Sequence, residues 1–133
     1  MLAEELLAVL ETAGVGTRGT TLFGASAAAL PSNGPAVAVV EYGGAAPIET
    51  HDGWVPIEQP RVQVAAYADD AATARTLAWA AWDALTGITN RLLNGTAYLR
   101  VQGLQTPFDM GPAGNGRVKW GFNVQVMKRR SAA

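Results

Sequence analysis

The chain has 133 residues, 49% of them hydrophobic and only 16% charged, and ten Lys and Arg against eleven Asp and Glu leave a net charge of −1. One compact domain spanning 1–133 fits that length, and two independent cores do not. A charge content below the roughly 25% usual for globular proteins, with no net positive field, excludes a nucleic-acid binder built on global electrostatics and leaves a surface that repels identical neighbours weakly.

The first periodic segment is Leu2, Leu6, Leu7, Val9 and Leu10, with Glu4, Glu5 and Glu11 on other faces. This spacing predicts a helix that stops at Gly14, and the early carboxylates suit its positive end. Glu4 and Glu5 break the apolar run and no basic residues lead into it, so a soluble chain without a leader or membrane span is expected. A glycine-rich turn follows, Thr20 to Phe23 reads as a short strand, and Pro31 to Pro35 is a loop. Ala36 to Tyr42 is rich in valine and reads as a strand. Gly43 to Pro60, with Trp54 in it, is expected to protrude as a long loop or hairpin.

Pro60 opens the next strand, where Val62, Val64 and Ala66 alternate with Arg61, Gln63 and Tyr67. Asp69 and Asp70 stand where a helix N-cap is needed, and the helix they introduce runs to about Thr86, with Gly87 ending it. Its buried stripe is Ala74, Leu77, Ala78, Ala81 and Leu85. Asn94-Gly95 marks a turn into a strand over Thr96 to Gln105, with Ala97, Leu99 and Val101 inward. The last run alternates most cleanly, with Val118, Trp120, Phe122, Val124 and Val126 inward, and is the expected centre of the sheet. The order predicts an α+β fold: one mixed, mainly antiparallel sheet of four to five strands with two helices on one face, and a short basic tail over 128–133.

Catalytic chemistry finds little support. Gly14-Val15-Gly16-Thr17-Arg18-Gly19 spells GxGxxG, but a dinucleotide loop leaves a strand and enters a helix, and here the order is reversed. Glu49, His51 and Asp52 contain the sole histidine, in a loop that offers no rigid metal geometry. Ser26 and Ser32 lack a nucleophile elbow, and the absence of cysteine removes thiol chemistry, disulfides and sulfur-ligated metals. Asp69 and Asp70 are explained by capping, nothing fixes the distance between Glu41 and Glu58, and Asn94-Gly95-Thr96 reads as a turn. Neither a catalytic set, a cofactor nor a metal site is therefore expected.

Helical projection puts Trp82 at the edge of the buried stripe and Trp79 on the outer face between Arg75 and Asp83. An outward tryptophan is either shielded by the long loop, with Arg75 stacked on it, or used at a subunit interface. Lys128, Arg129 and Arg130 are either a solvated end or a weak contact to DNA or an acidic partner.

The segment order resembles a known family. Gly43-Gly44 and Pro47 after a strand, Pro60-Arg61-Val62-Gln63-Val64, the Ala-rich helix ending in Leu85-Thr86-Gly87, Gln105 to Gly111, then Gly116-Arg117 and the aromatic final strand are similar to the tail terminator, minor capsid and head–tail joining proteins of long-tailed bacteriophages. The likeness covers Leu22 to Lys128. It implies a virion protein without enzymatic activity, assembled in the host cytoplasm, that forms a ring, typically a hexamer. That ring caps the tail tube, ends its polymerisation and meets the head connector or stopper protein, with DNA passing through and no specific nucleic-acid recognition. The expected subunit or partner surface is Trp54, Arg61, Gln63, Tyr67, Arg75, Trp79 and Asp83. The competing readings are a ligand-binding module with an aromatic groove around Trp54, Trp79 and Trp82, and a metal-dependent hydrolase using the His51 loop.

Overall fold

In a computed structural model, which describes residues 2–24, 34–48, 57–93, 95–113 and 116–129, two helices lie on one side of a curled seven-stranded sheet. The elements are α1 (Leu2–Thr12), β1 (Leu22–Gly24), β2 (Ala36–Ile48), β3 (Ile57–Ala68), α2 (Ala71–Thr86), β4 (Thr89–Leu93), β5 (Thr96–Gly103), β6 (Phe108–Pro112) and β7 (Val118–Arg129). The sheet order is β1-β2-β3-β7-β5-β4, and β6 pairs with the first half of β7. Only β1 with β2 is parallel.

The α+β class, the two helices on one face and the mainly antiparallel sheet match expectation, but seven strands replace four to five. The two strands that sequence reading misses are β4 and β6. Most of β4 is exposed, so no alternation marks it, and it is held by pairing with β5 and by Leu93 against the core. β6 contains Gly111, at φ 91°, and Pro112, both poor strand residues, and owes its form to the β7 edge.

The protruding segment is the outer part of the β2–β3 hairpin, whose strands run on to Ile48 and from Ile57. A register shift between Tyr42 and Gly44 bends β2 there, and Gly44 stands at φ 147°, where a Cβ would strike the Gln59 carbonyl. The tip, including Trp54, lies outside the described residues.

In β7, Phe122, Val124 and Val126 are fully buried, as their alternation requires, and β7 pairs with three other strands. In β5 the expected inward set holds at Val101 but not at Ala97 and Leu99. Thr96, Tyr98 and Val101 are buried, while Ala97 and Leu99 are half-exposed. A bulge between Tyr98 and Arg100 changes the phase of the strand midway, which a strict two-residue period cannot anticipate.

α2 starts as the sequence demands. The Asp70 carboxylate accepts from the Thr73 backbone N–H at 2.7 Å and from the Thr73 hydroxyl at 3.0 Å, and that amide holds the Asp70 carboxyl below its usual range. Ala74, Ala78, Ala81 and Leu85 form its buried stripe, with Leu77 partly buried beside them. Their small size lets the helix settle close to β3 and β7. Trp82 covers Gly103 and meets Phe122 edge to face at 5.3 Å, and any Cβ at Gly103 would collide with the Trp82 ring.

α1 buries Leu2, Leu6, Leu7, Val9 and Leu10 against β1, β2 and α2. It also buries Glu5, whose carboxylate accepts a 2.9 Å hydrogen bond from the Tyr98 hydroxyl. Burial, then the hydrogen bond to Glu5, then the charges of Glu5 and Glu41 push the Tyr98 phenol far above its usual range. This bond ties α1 to β5 across 93 residues of sequence.

Candidate assembly surfaces

The helices cover one face of the sheet, hereafter the inner face, and the strand registers assign each side chain to that face or the outer one. Val62, Val64, Phe122, Val124 and Val126 point inward, and their neighbours on β3 and β7 point outward. The outer row on β3 is Arg61, Gln63, Ala65 and Tyr67. They stand opposite Gln125, Asn123, Gly121 and Lys119 of β7. Arg100 and Gln102 extend this face onto β5, opposite Met127 and Gln125.

The three carboxylates in the described strands all avoid the outer face. Glu41 is in register with Val62, Glu58 with Lys128 and Asp109 with Trp120, each on the inner phase. The outer face is thus built from cations, amides and small residues, with Tyr42, Tyr67, Phe108 and Met127 among them. Gly121 shows how flat its centre is: a Cβ there would strike the Val64 carbonyl. The acidic groups gather on the other side, with Glu4, Glu5 and Glu11 on α1 and Asp83 on α2.

At the start of β7 the outer face has its strongest charge feature. Arg117 is only 7% exposed, yet its Nε and Nη1 have no hydrogen-bond partner among the described residues. Its guanidinium lies over the Tyr67 ring at 5.1 Å, and the Lys119 ammonium lies over the same ring at 5.7 Å. Two cations therefore share one aromatic ring, and neither makes an ion pair among the described residues. Sequence reading missed Arg117 because an arginine beside a Gly-Asn-Gly turn reads as solvated. The available signal was its place in the outward phase, two residues before Lys119.

The exposed face of α2 is the second surface. Ala72, Arg75, Thr76, Trp79, Ala80 and Asp83 line an open groove of about 510 Å³ there. Trp79 is half-buried and meets Trp82 edge to face at 6.2 Å. Arg75 stacks over Trp120 at 5.8 Å, so the proposed Arg75 cover of Trp79 is not found; the helix turns that side chain toward β7. The Trp120 indole N–H is buried beneath this layer without an acceptor among the described residues.

The candidate residues thus divide between two surfaces. Arg61, Gln63 and Tyr67 lie on the outer sheet face, and Arg75, Trp79 and Asp83 lie on the helix layer. The aromatic-groove reading loses a wall, because Trp82 is packed over Gly103 rather than open beside Trp79. Lys128 and Arg129 are the last residues of β7 and not a tail, since pairing with Glu58 and Ile57 of β3 extends the strand over them. The Lys128 ammonium is engaged by Glu58 at 3.1 Å. Trp54, Arg130 and the group Glu49, His51 and Asp52 lie outside the described residues. Among the described residues no cluster of His, Asp and Glu suited to a metal occurs, and no helix is long and apolar enough to cross a membrane.

The family model described as "Bacteriophage tail terminator protein" matches residues 9–129. The chain belongs to that family. It is accordingly a structural protein of the phage virion. Among solved structures, a chain of the "Virion of native gene transfer agent (GTA) particle" shares the fold, with a TM-score of 0.58 and 18% identity over 94% of this chain and 84% of that one. No curated protein sequence matches. The span matched by the tail terminator model contains both surfaces, from Arg61 on β3 through the α2 groove to Arg117 and Lys119.

Proposed function

We propose that this tail terminator assembles into a closed ring of six copies that caps the finished tail tube, stops its polymerisation and joins the tail to the head connector or stopper protein. The observation that supports it is the division of charge between the layers. Among the described residues, a sheet face whose strands carry no carboxylate lies on one side and an apolar groove bearing Asp83 and Arg75 on the other, so each copy presents two unlike surfaces. Repeated contact between unlike surfaces is heterologous, and it closes into a ring when the rotation per copy divides a full turn. A domain of 133 residues has a radius of gyration of about 14 Å, so one copy cannot encircle a DNA duplex and several must. The outer β2–β3 hairpin supplies an arm toward a neighbouring copy or the tube. It continues six residues past Tyr42, about 20 Å at strand rise.

The mechanism is one of fit and exclusion, with no bond chemistry and no cofactor. A ring seated on the last tube layer covers the surface that the next layer needs and offers a different surface to the head. DNA passes through the opening without sequence readout, in keeping with the net charge of −1. Assembly takes place in the host cytoplasm, and the product stays at the head–tail junction. Light scattering with negative-stain imaging of the chain, alone and with its tail tube protein, tests this reading. Six-membered rings, free or seated on tube ends, are expected. A chain that remains monomeric in solution and leaves tube length unchanged overturns it.

A further inference from the structure

We infer that the unpaired Arg117 guanidinium is one half of a contact between copies, and that the carboxylate completing it is Asp83 on the α2 groove of the neighbouring copy. This rests on the ring reading above and names the surfaces that meet. The argument starts from the cost of an isolated buried charge. A guanidinium does not shed its proton, so it must find an acceptor or leave its solvation loss uncompensated. Arg117 is 7% exposed, with Nε and Nη1 enclosed and unpartnered. The ion pairs within the described chain are Arg18–Glu11 and Lys128–Glu58, and neither involves it. Asp69, one step beyond the Ala68–Val118 register pair, lies closest in sequence register and makes no ion pair with it. Among the described residues, Nε and Nη1 of Arg117 have no acceptor.

The shape of the missing partner follows from what surrounds the charge. Arg117 and Lys119 flank the Tyr67 ring, so the complement needs a carboxylate beside an apolar, preferably aromatic, surface. The α2 groove has that pairing, with Trp79 and the small residues Ala72 and Ala80 as its floor and Asp83 at its rim, while the Arg75 cation that also lines it is drawn aside over the Trp120 ring. Asp83 is exposed, with no ion pair in the described chain. A planar guanidinium against a carboxylate is the geometry that gives paired, directional hydrogen bonds. The two patches occupy opposite layers of the fold, so one copy cannot join them within itself.

Reciprocal charge exchange tests the pairing. In Arg117→Glu both patches are acidic, and in Asp83→Arg both are basic, so each variant alone should lose the oligomer seen for the unchanged chain by light scattering. An equimolar mixture of the two should regain it as alternating copies, because every contact then joins opposite charges. Lys119→Glu mixed with Asp83→Lys repeats the exchange at a half-buried position, should Arg117→Glu fail to fold. Recovery in either mixture supports the contact, since no defect of folding is cured by mixing. Mixtures that stay dissociated while the unchanged chain forms rings overturn the pairing and leave the ring intact. An unchanged chain that is monomeric in solution and also leaves tube length unchanged overturns both. Loss of binding to duplex DNA in Arg117→Glu, with ring mass unaffected, would assign the guanidinium to a phosphate and overturn the inference as well.

Discussion

The two faces of the sheet in this tail terminator solve different problems with the same strands. The inner face is sealed by helices: Val62, Val64, Phe122, Val124 and Val126 are fully buried there, and Glu5, the buried carboxylate that α1 brings to it, receives a hydrogen bond from Tyr98. The outer face holds no strand carboxylate among the described residues and leaves Arg117 buried without an acceptor. A protein that acted alone would gain nothing from that second arrangement. In the proposed ring, the inner face completes the monomer, while the outer face and the α2 groove are completed by neighbours.

Substitutions can break this comparison, and the largest effect is expected inside. Phe122→Ala removes a fully buried ring that packs against Trp82 and should cost about 3–5 kcal/mol of folding stability in urea denaturation. Trp79→Ala should instead spare most of the folding stability and weaken the oligomer by about 2 kcal/mol, about thirtyfold in the concentration for half-assembly. An unchanged oligomer mass on dilution would remove α2 from the interface.

Tyr98→Phe leaves the buried Glu5 without its donor and should cost about 1–3 kcal/mol. The folded Tyr98 phenol sits far above the usual tyrosine value, so its contribution is complete below about pH 10 and is lost as pH rises beyond that. Stability should therefore fall more steeply above pH 10 in the unchanged chain than in Tyr98→Phe. The smallest effect is Asp70→Ala, which frees the first turn of α2. Its folded carboxyl is depressed, so the stabilisation is present above the ordinary carboxylate range and lost as pH falls through it. Melting curves of the two proteins should draw together as pH falls below the ordinary carboxylate value of about 4.

How much of this was legible depends on whether the signal was local. β7 and the stripe of α2 could be read because burial follows a regular period, and Asp70 because a cap acts within three residues. β4 and β6 could not, since their strand form comes from the partner edge and not from their own residues. The phase of β5 was misread because the bulge at Tyr98 and Arg100 is a tertiary accommodation. The candidate surfaces were partly visible in Arg61, Gln63, Tyr67 and Trp79. Their division between opposite layers, and the unpaired state of Arg117, exist only once β3 and β7 are aligned.

Hydroxyl-radical footprinting of the assembled and dissociated chain tests the central claim most directly, because it reads side-chain access residue by residue. Tyr67 and Trp79 should lose reactivity on assembly, while Tyr98 and Phe122, fully buried within the monomer, should not change. Assembly that leaves Tyr67 and Trp79 as reactive as before would contradict the assignment of these two surfaces to contacts between copies.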